Sequence, residues 1–164
     1  MPADSGADDN FRSYDLVWLL HLVGDVHQPL HATARFSAAH SDGDQGGNLV
    51  KVMPAQGDTL KFHAYWDRIF GGYVTITGAA LDLKDSGLES VQVDPLKAAE
   101  DDPQLWLNES AQTAQAAAYA EPVLSATSTV ELTRTYETTA RNVARSQAVL
   151  AAQRLANILN KAFP

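Results

Sequence analysis

The chain has 164 residues, 45% of them hydrophobic and 20% charged, with a formal charge of −8 and no cysteine. That balance fits one globular domain and excludes disorder, and the missing cysteine excludes disulfides and thiolate metal ligands. A duplex-DNA-binding module would carry a basic stripe and none is visible, but a metalloenzyme acting on phosphate stays open because bound cations add charge that the sequence count omits.

Residues 1–10 are polar and acidic and read as a separate segment, neither a signal nor a transit peptide. No apolar run approaches the length of a membrane span. Asp9 or Asn10 is a candidate cap for a helix that begins at Phe11. Its apolar positions Phe11, Tyr14, Val17, Trp18 and Leu22 recur at helical spacing. Leu19, Leu20, Val23 and Val26 widen that face almost all round, which predicts a deeply buried helix. Pro29 ends it near Val26–Gln28.

Residues 32–48 read as a loop, with a turn-rich cluster from Ser37 to Asn48. Leu49–Met53 and Thr59–Phe62 flank the turn Ala55-Gln-Gly-Asp58 and predict a small hairpin. His63–Phe70 predicts a short helix stopped by Gly71-Gly72. Between 73 and 105, Thr75–Thr77 is weakly β-prone, and Asp82, Asp85 and Ser86 are candidate helix starts. Leu105–Tyr119 predicts an alanine-rich helix that Pro122 ends. Val130–Ala162 predicts a long amphipathic helix with one break. The fold class is mainly α: a single helical domain over residues 11–164 with a small β-hairpin.

The chemistry concentrates in His21-Leu-Val-Gly-Asp25-Val-His27-Gln-Pro-Leu-His31, which holds three of the five histidines. His21 and Asp25 lie four apart and project from one face of a helix. They suit a shared metal, or a hydrogen-bonded His–Asp pair that needs no metal. His63 and Asp67 repeat the spacing. With His31 just past the proline, the recurrence favours a metal held by imidazole and carboxylate from separate elements, as zinc accepts. His27 lies off the His21/Asp25 face and reads as a packing or outer residue. His40 reads as solvated. Asp44-Gln-Gly-Gly-Asn48 permits a tight turn or close approach of a partner. There is no Gly-x-Ser-x-Gly elbow, no Cys nucleophile and no P-loop.

Together these three motifs, ending in Phe62-His63-Ala64-Tyr65-Trp66-Asp67, closely resemble the ordered motif set of the S1/P1 nucleases. Trp106-Leu-Asn-Glu109-Ser110 and Ala152-Gln-Arg154-Leu-Ala-Asn-Ile-Leu-Asn160 extend the resemblance over most of residues 11–161. It implies the helical fold of the zinc-dependent phospholipase C/P1 nuclease type. It also implies hydrolysis of single-stranded DNA and RNA to 5′-phosphate products, with 3′-nucleotidase activity, and three zinc ions. By position, His21 and Asp25 would ligate one ion of a close pair, Asp25 bridging to the other as the catalytic carboxylate. His31, His63 and Asp67 would hold the third ion, and Asn48 would lie near the substrate. The resemblance suggests a secreted or periplasmic enzyme acting on single-stranded nucleic acid and 3′-nucleotides, with no membrane partner.

In that family the close pair also uses an N-terminal tryptophan and further His and Asp ligands upstream of this motif. No histidine precedes His21 here and the chain opens Met1-Pro2-Ala3, so it is expected to be a C-terminal portion or a shortened relative in which only the His31/His63/Asp67 site is complete. Two alternatives accompany the nuclease reading. One is a zinc-dependent phospholipase C, disfavoured by the wording of Gln28-Pro-Leu-His31 and Gly46-Gly-Asn48. The other is a non-catalytic zinc-binding helical fragment that binds fewer than three ions.

Overall fold

Apolar spacing, caps and prolines set a mainly helical architecture in the computed structural model, which describes residues 9–71, 75, 77, 78, 80, 81 and 87–163. Helix α1 spans Asp9–Val26. It stops where Pro29 requires. Residues Pro29–Ala32 tighten into a 3₁₀ turn, and the Gln28 side-chain oxygen caps it by accepting from the Leu30 backbone N–H. The expected deep burial of α1 is not observed. Only Val23 is buried, and Phe11, Tyr14, Val17, Trp18, Leu20 and Leu22 are exposed. Periodicity reports that a helix has an apolar surface. Whether neighbours cover it is decided by the fold, which brings partners chiefly to the last turns of α1.

The hairpin forms as expected. β1 (Lys51–Met53) pairs antiparallel with β2 (Leu60–Lys61), Val52 opposite Leu60. A third strand, β3 (Val130–Glu131), joins β1 in parallel, Val52 opposite Val130, giving the order β2-β1-β3. Apolar spacing alone would put Val130 inside the last helix. Thr133 is the physical boundary: its hydroxyl accepts from the Tyr136 N–H at 3.1 Å, which caps the helix and leaves Val130 free to pair.

Helix α2 (Phe62–Asp67) follows β2 without a loop and ends before the expected Phe70. Gly71, with φ +107°, turns the chain there. Gly72, Asp82, Asp85 and Ser86 lie outside the described residues, and Thr75 and Thr77 stand in a bend and a helical turn rather than a strand. Two short helices then begin alike, each with an aspartate cap and proline in its first turn: α3 (Pro95–Ala99) after Asp94, and α4 (Pro103–Thr113) after Asp102. α4 widens into a π turn over Ala114–Ala118, matching the expected alanine-rich helix apart from an earlier start. The final helix α5 runs over Arg134–Ala162 without the expected break.

The core joins the sheet to the helices: Val52, Phe62, Trp66, Ala118, Val123 and Tyr136 are among its buried members. Complete burial of the Phe62 side chain stabilises the fold by about 1.5–3 kcal/mol. The Tyr136 hydroxyl donates to the Ala118 carbonyl at 2.7 Å and accepts from the Trp66 indole N–H at 3.3 Å. Burial raises the Tyr136 pKa, which keeps it a donor. α2 is thereby fixed from beneath, and its polar face points away from the core.

Candidate metal centre

Three elements bring the ligand-type residues together: His21 and Asp25 from α1, His31 from the 3₁₀ turn, His63 and Asp67 from α2. They form one continuous chain of close contacts. His21 Nε2 lies 3.2 Å from Asp25 Oδ2, and Asp25 Oδ1 lies 3.7 Å from His31 Nδ1. His31 Nε2 lies 3.3 Å from Asp67 Oδ1, and Asp67 Oδ2 lies 3.6 Å from His63 Nε2. The rings of His31 and His63 stack with centroids 5.0 Å apart. Two histidines on different elements thus face one carboxylate, because Pro29 turns His31 out of α1 toward α2.

The backbone and neighbouring amides orient this group. His63 Nδ1 lies 2.8 Å from the Gly46 carbonyl, so Nδ1 carries the proton and Nε2 presents its lone pair toward Asp67. Gln28 Nε2 donates to Asp67 Oδ1 at 2.9 Å. The Gly46 carbonyl is itself held in place by a special turn. Gly46 has φ +63°, and a Cβ there would stand 2.6 Å from the Leu30 carbonyl, so only glycine fits. Asp44, fully buried, anchors the same turn: its Oδ1 accepts from the backbone N–H of Arg35 and Gly47 at 3.0 Å and from the Tyr119 hydroxyl at 2.9 Å.

The donor set fits a zinc ion at His31, His63 and Asp67. Their ligand atoms all lie within 4.8 Å of one another. With zinc bonds of about 2.0–2.2 Å, a tetrahedral site has edges of about 3.4 Å. His31 Nε2 lies 3.3 Å from Asp67 Oδ1 and His63 Nε2 3.6 Å from Asp67 Oδ2, so each imidazole already stands near that distance from one oxygen of the carboxylate. A histidine proton on a backbone carbonyl and an amide on the carboxylate are also the outer contacts that metal sites use. Among the described residues no other group of three forms, so His21 and Asp25 contribute a pair of donors beside the triad.

The other expected residues divide. His27 is 2% exposed and turned away from the cluster: Nδ1 donates to the Val23 carbonyl at 2.7 Å, and Nε2 accepts from Arg154 Nη1 at 2.9 Å. Burial lowers its pKa, reinforced by Arg154 and opposed by the Val23 contact and by Glu109. His40 belongs to a turn in which it exchanges backbone hydrogen bonds with Ser37. Asn48 is half-buried, and its amide donates to the Gln45 carbonyl at 3.0 Å, so in this structure it braces the glycine turn.

The late motifs converge on the end of α1, a role that their sequence does not announce. Arg154 is fully buried on α5. Besides His27 it reaches the Lys97 carbonyl through Nε and Nη2, lies over the Trp106 ring, and places Nη2 2.8 Å from Glu109 Oε2 as an ion contact rather than an aligned hydrogen bond. Ser110 Oγ donates to the Val26 carbonyl at 2.6 Å. Trp106, Glu109, Ser110 and Arg154 therefore clamp the turn that carries Asp25 and leads to His31. The signal present in the sequence is an arginine on an otherwise apolar helical face.

No curated protein matches the chain. A sequence model of the S1/P1 Nuclease family matches residues 3–164, nearly the whole length, and no helix among the described residues is long and apolar enough to cross a membrane. This family is one of zinc-dependent, mainly helical nucleases whose substrates are nucleic acids. With the match spanning the helices, the hairpin and the His/Asp cluster alike, the chain belongs to the S1/P1 nuclease family and is a hydrolase of the nuclease type.

Proposed function

We propose that this protein is a zinc-dependent phosphodiesterase that cleaves single-stranded DNA and RNA to 5′-phosphate products and removes phosphate from 3′-nucleotides, working outside the cytoplasm. The observation that carries the reading is the His31/His63/Asp67 triad, with its tautomer and carboxylate already oriented by Gly46 and Gln28. In this reading these three residues would hold one zinc, and His21 and Asp25 would donate to a close pair of ions, with Asp25 as the catalytic carboxylate. Bound zinc supplies a water whose pKa is lowered toward neutrality and a positive field for phosphate oxygens.

The chain's own residues do the rest. His63 keeps its proton on the Gly46 side and its Nε2 free. Asp67 stays where Gln28 holds it, shared between His31 and His63. The cluster opens onto a cleft of about 660 Å³ lined by His21, Asp25, His31, Trp66, Asp67 and Phe70. A second cleft of about 940 Å³ lies on its other side, where Leu19, Leu22, Leu30 and Trp106 form an apolar wall beside His31 and His63. An unstacked base fits against such a wall and a paired one does not, which gives a preference for single strands. Asn48 braces the turn whose Gln45 and Gly46 border this second cleft, and it is the proposed substrate contact.

The test uses the complete natural polypeptide: zinc by elemental analysis and digestion of matched single- and double-stranded oligonucleotides. We expect the single strand to be cut to 5′-phosphate ends, with chelation abolishing the reaction. Full zinc loading without cleavage, or faster cleavage of phosphatidylcholine than of oligonucleotide, would overturn the reading.

A further inference from the structure

The largest concentration of positive charge lies outside the cluster. Four of the seven arginines, Arg68, Arg134, Arg141 and Arg145, line one cleft of about 700 Å³ between the β1–β2 turn, α2 and the first half of α5. In a chain of net −8, this cleft holds four cations against Asp58 and Glu137. Glu137 is committed elsewhere, since its Oε1 accepts from the Ala55 backbone N–H at 3.1 Å and ties the turn to α5. Arg145 spends Nη1 on Asn142 Oδ1 at 3.1 Å, while its buried Nε has no partner among the described residues. Three guanidinium groups spaced seven and four residues apart make a stripe along one side of α5, about 16 Å long at the helical rise. The opposite side of that helix, Tyr136, Ala140 and Ala144, is buried in the core. Arg134 and Arg141 are exposed on that stripe.

The cleft adjoins the proposed catalytic cleft. Ile69 lines both, and α2 separates them, with Asp67 on the cluster side and Tyr65 and Arg68 on the arginine side. α5 passes along both, with Ala144, Gln147 and Ala148 in one and Arg141 and Arg145 in the other. A strand held at the cluster and followed along α5 meets the guanidinium groups in order. Planar guanidinium donors match phosphate oxygens in pairs, and they need no base identity to do so. The Tyr65 side chain lines the same cleft.

We infer that the cleft of Arg68, Arg134, Arg141 and Arg145 is a second binding site, which takes the backbone phosphates of a single-stranded polynucleotide beyond the bond being cut. This rests on the nuclease reading for its purpose, though not for its binding test. Such a track would make long strands better substrates than short ones and would make their binding salt-dependent.

The experiment compares the protein with R134Q/R141Q, with the charge-keeping R134K/R141K, and with K51Q as an exposed control on β1. Binding of a fluorescent single-stranded oligonucleotide of about twelve residues is read by anisotropy in chelator, so that no cleavage is needed. We expect R134Q/R141Q to weaken binding roughly tenfold at low salt and to flatten the logarithmic salt slope by about 1.4, at about 0.7 for each phosphate no longer neutralised. R134K/R141K should fall between, and K51Q should match the parent. In zinc, kcat/KM on the oligonucleotide should fall for R134Q/R141Q, while kcat/KM on a 3′-nucleotide is unchanged. Unchanged oligonucleotide binding in R134Q/R141Q would overturn the inference. So would an equal loss in K51Q, or inorganic phosphate competing as well as the oligonucleotide. A protein that cleaves nothing, yet loses oligonucleotide binding in R134Q/R141Q, would sink the nuclease reading and leave the cleft standing.

Discussion

His21/Asp25 and His63/Asp67 are the same spacing on two helices, and they end in different surroundings. On α2, the imidazole is oriented by the Gly46 carbonyl, the carboxylate is held by Gln28, and the His63 side chain is 21% exposed. On α1, the His21 side chain is 60% exposed, and its contacts are Asp25 and the edge of Trp18. Helical geometry makes both pairs converge. Both carboxylates meet His31, but only the second pair has its imidazole and carboxylate held directly by hydrogen bonds from elsewhere in the chain, and only there do three donors converge. Spacing brings donors together; preorganisation comes from the groups behind them.

That contrast is breakable. The largest expected effect is on the triad: Asp67→Ala or His31→Ala should lose the zinc ion and lower nuclease activity by more than the roughly 10–100-fold that outer partners carry. His21→Ala, which reaches the triad only through Asp25, should cost the triad's zinc affinity less than the roughly tenfold at which outer partners begin. Metal titration followed by activity assays checks both. If the two substitutions cost the triad equally, the distinction drawn between the pairs fails.

Next comes the brace. Gly46→Ala forces a side chain into a left-handed conformation and against the Leu30 carbonyl, so a loss of about 1–3 kcal/mol in urea unfolding is expected, together with weaker zinc binding. Gln28→Ala removes the Asp67 contact and the 3₁₀ cap. It should lower zinc affinity about tenfold and stability by about 1 kcal/mol. An affinity unchanged in both variants would mean that the triad needs no bracing.

The smallest effect tests the clamp behind Asp25. His27 is neutral in the fold, with a pKa below its ordinary 6.5. Below pH 6.5 the unfolded chain binds a proton that the folded one refuses, so stability is full above that pH and declines as pH falls through it. Protonation would also set a second cation against Arg154. Melting temperatures from pH 7 to pH 5 should show the decline, and His27→Gln, less stable at the start, should lose that part of the slope. Identical slopes would remove His27 from the account.

Much of the site is legible in the order of residues alone. His21, Asp25, His31, His63 and Asp67 stand out because metal chemistry restricts residue type and helices restrict spacing. The hairpin and the alanine-rich helix follow from alternation and turn residues. The burial of α1 does not follow, because an apolar face says nothing of what covers it. β3 leaves no signal because two residues carry no period, and the strand exists only through its pairing with β1. The brace is hidden for a related reason. The Gly46 carbonyl is backbone, and Gln28 meets Asp67 across 39 positions.

By itself, then, the sequence determined the donor types, their helical pairing and the mainly helical class, since these follow from side-chain chemistry and local periodicity. The tertiary structure decided which donors share a carboxylate, which imidazole nitrogen is free, how Arg154 holds the end of α1, and that four arginines meet in one cleft. Each of these depends on contacts between residues distant in sequence, and no local rule specifies them.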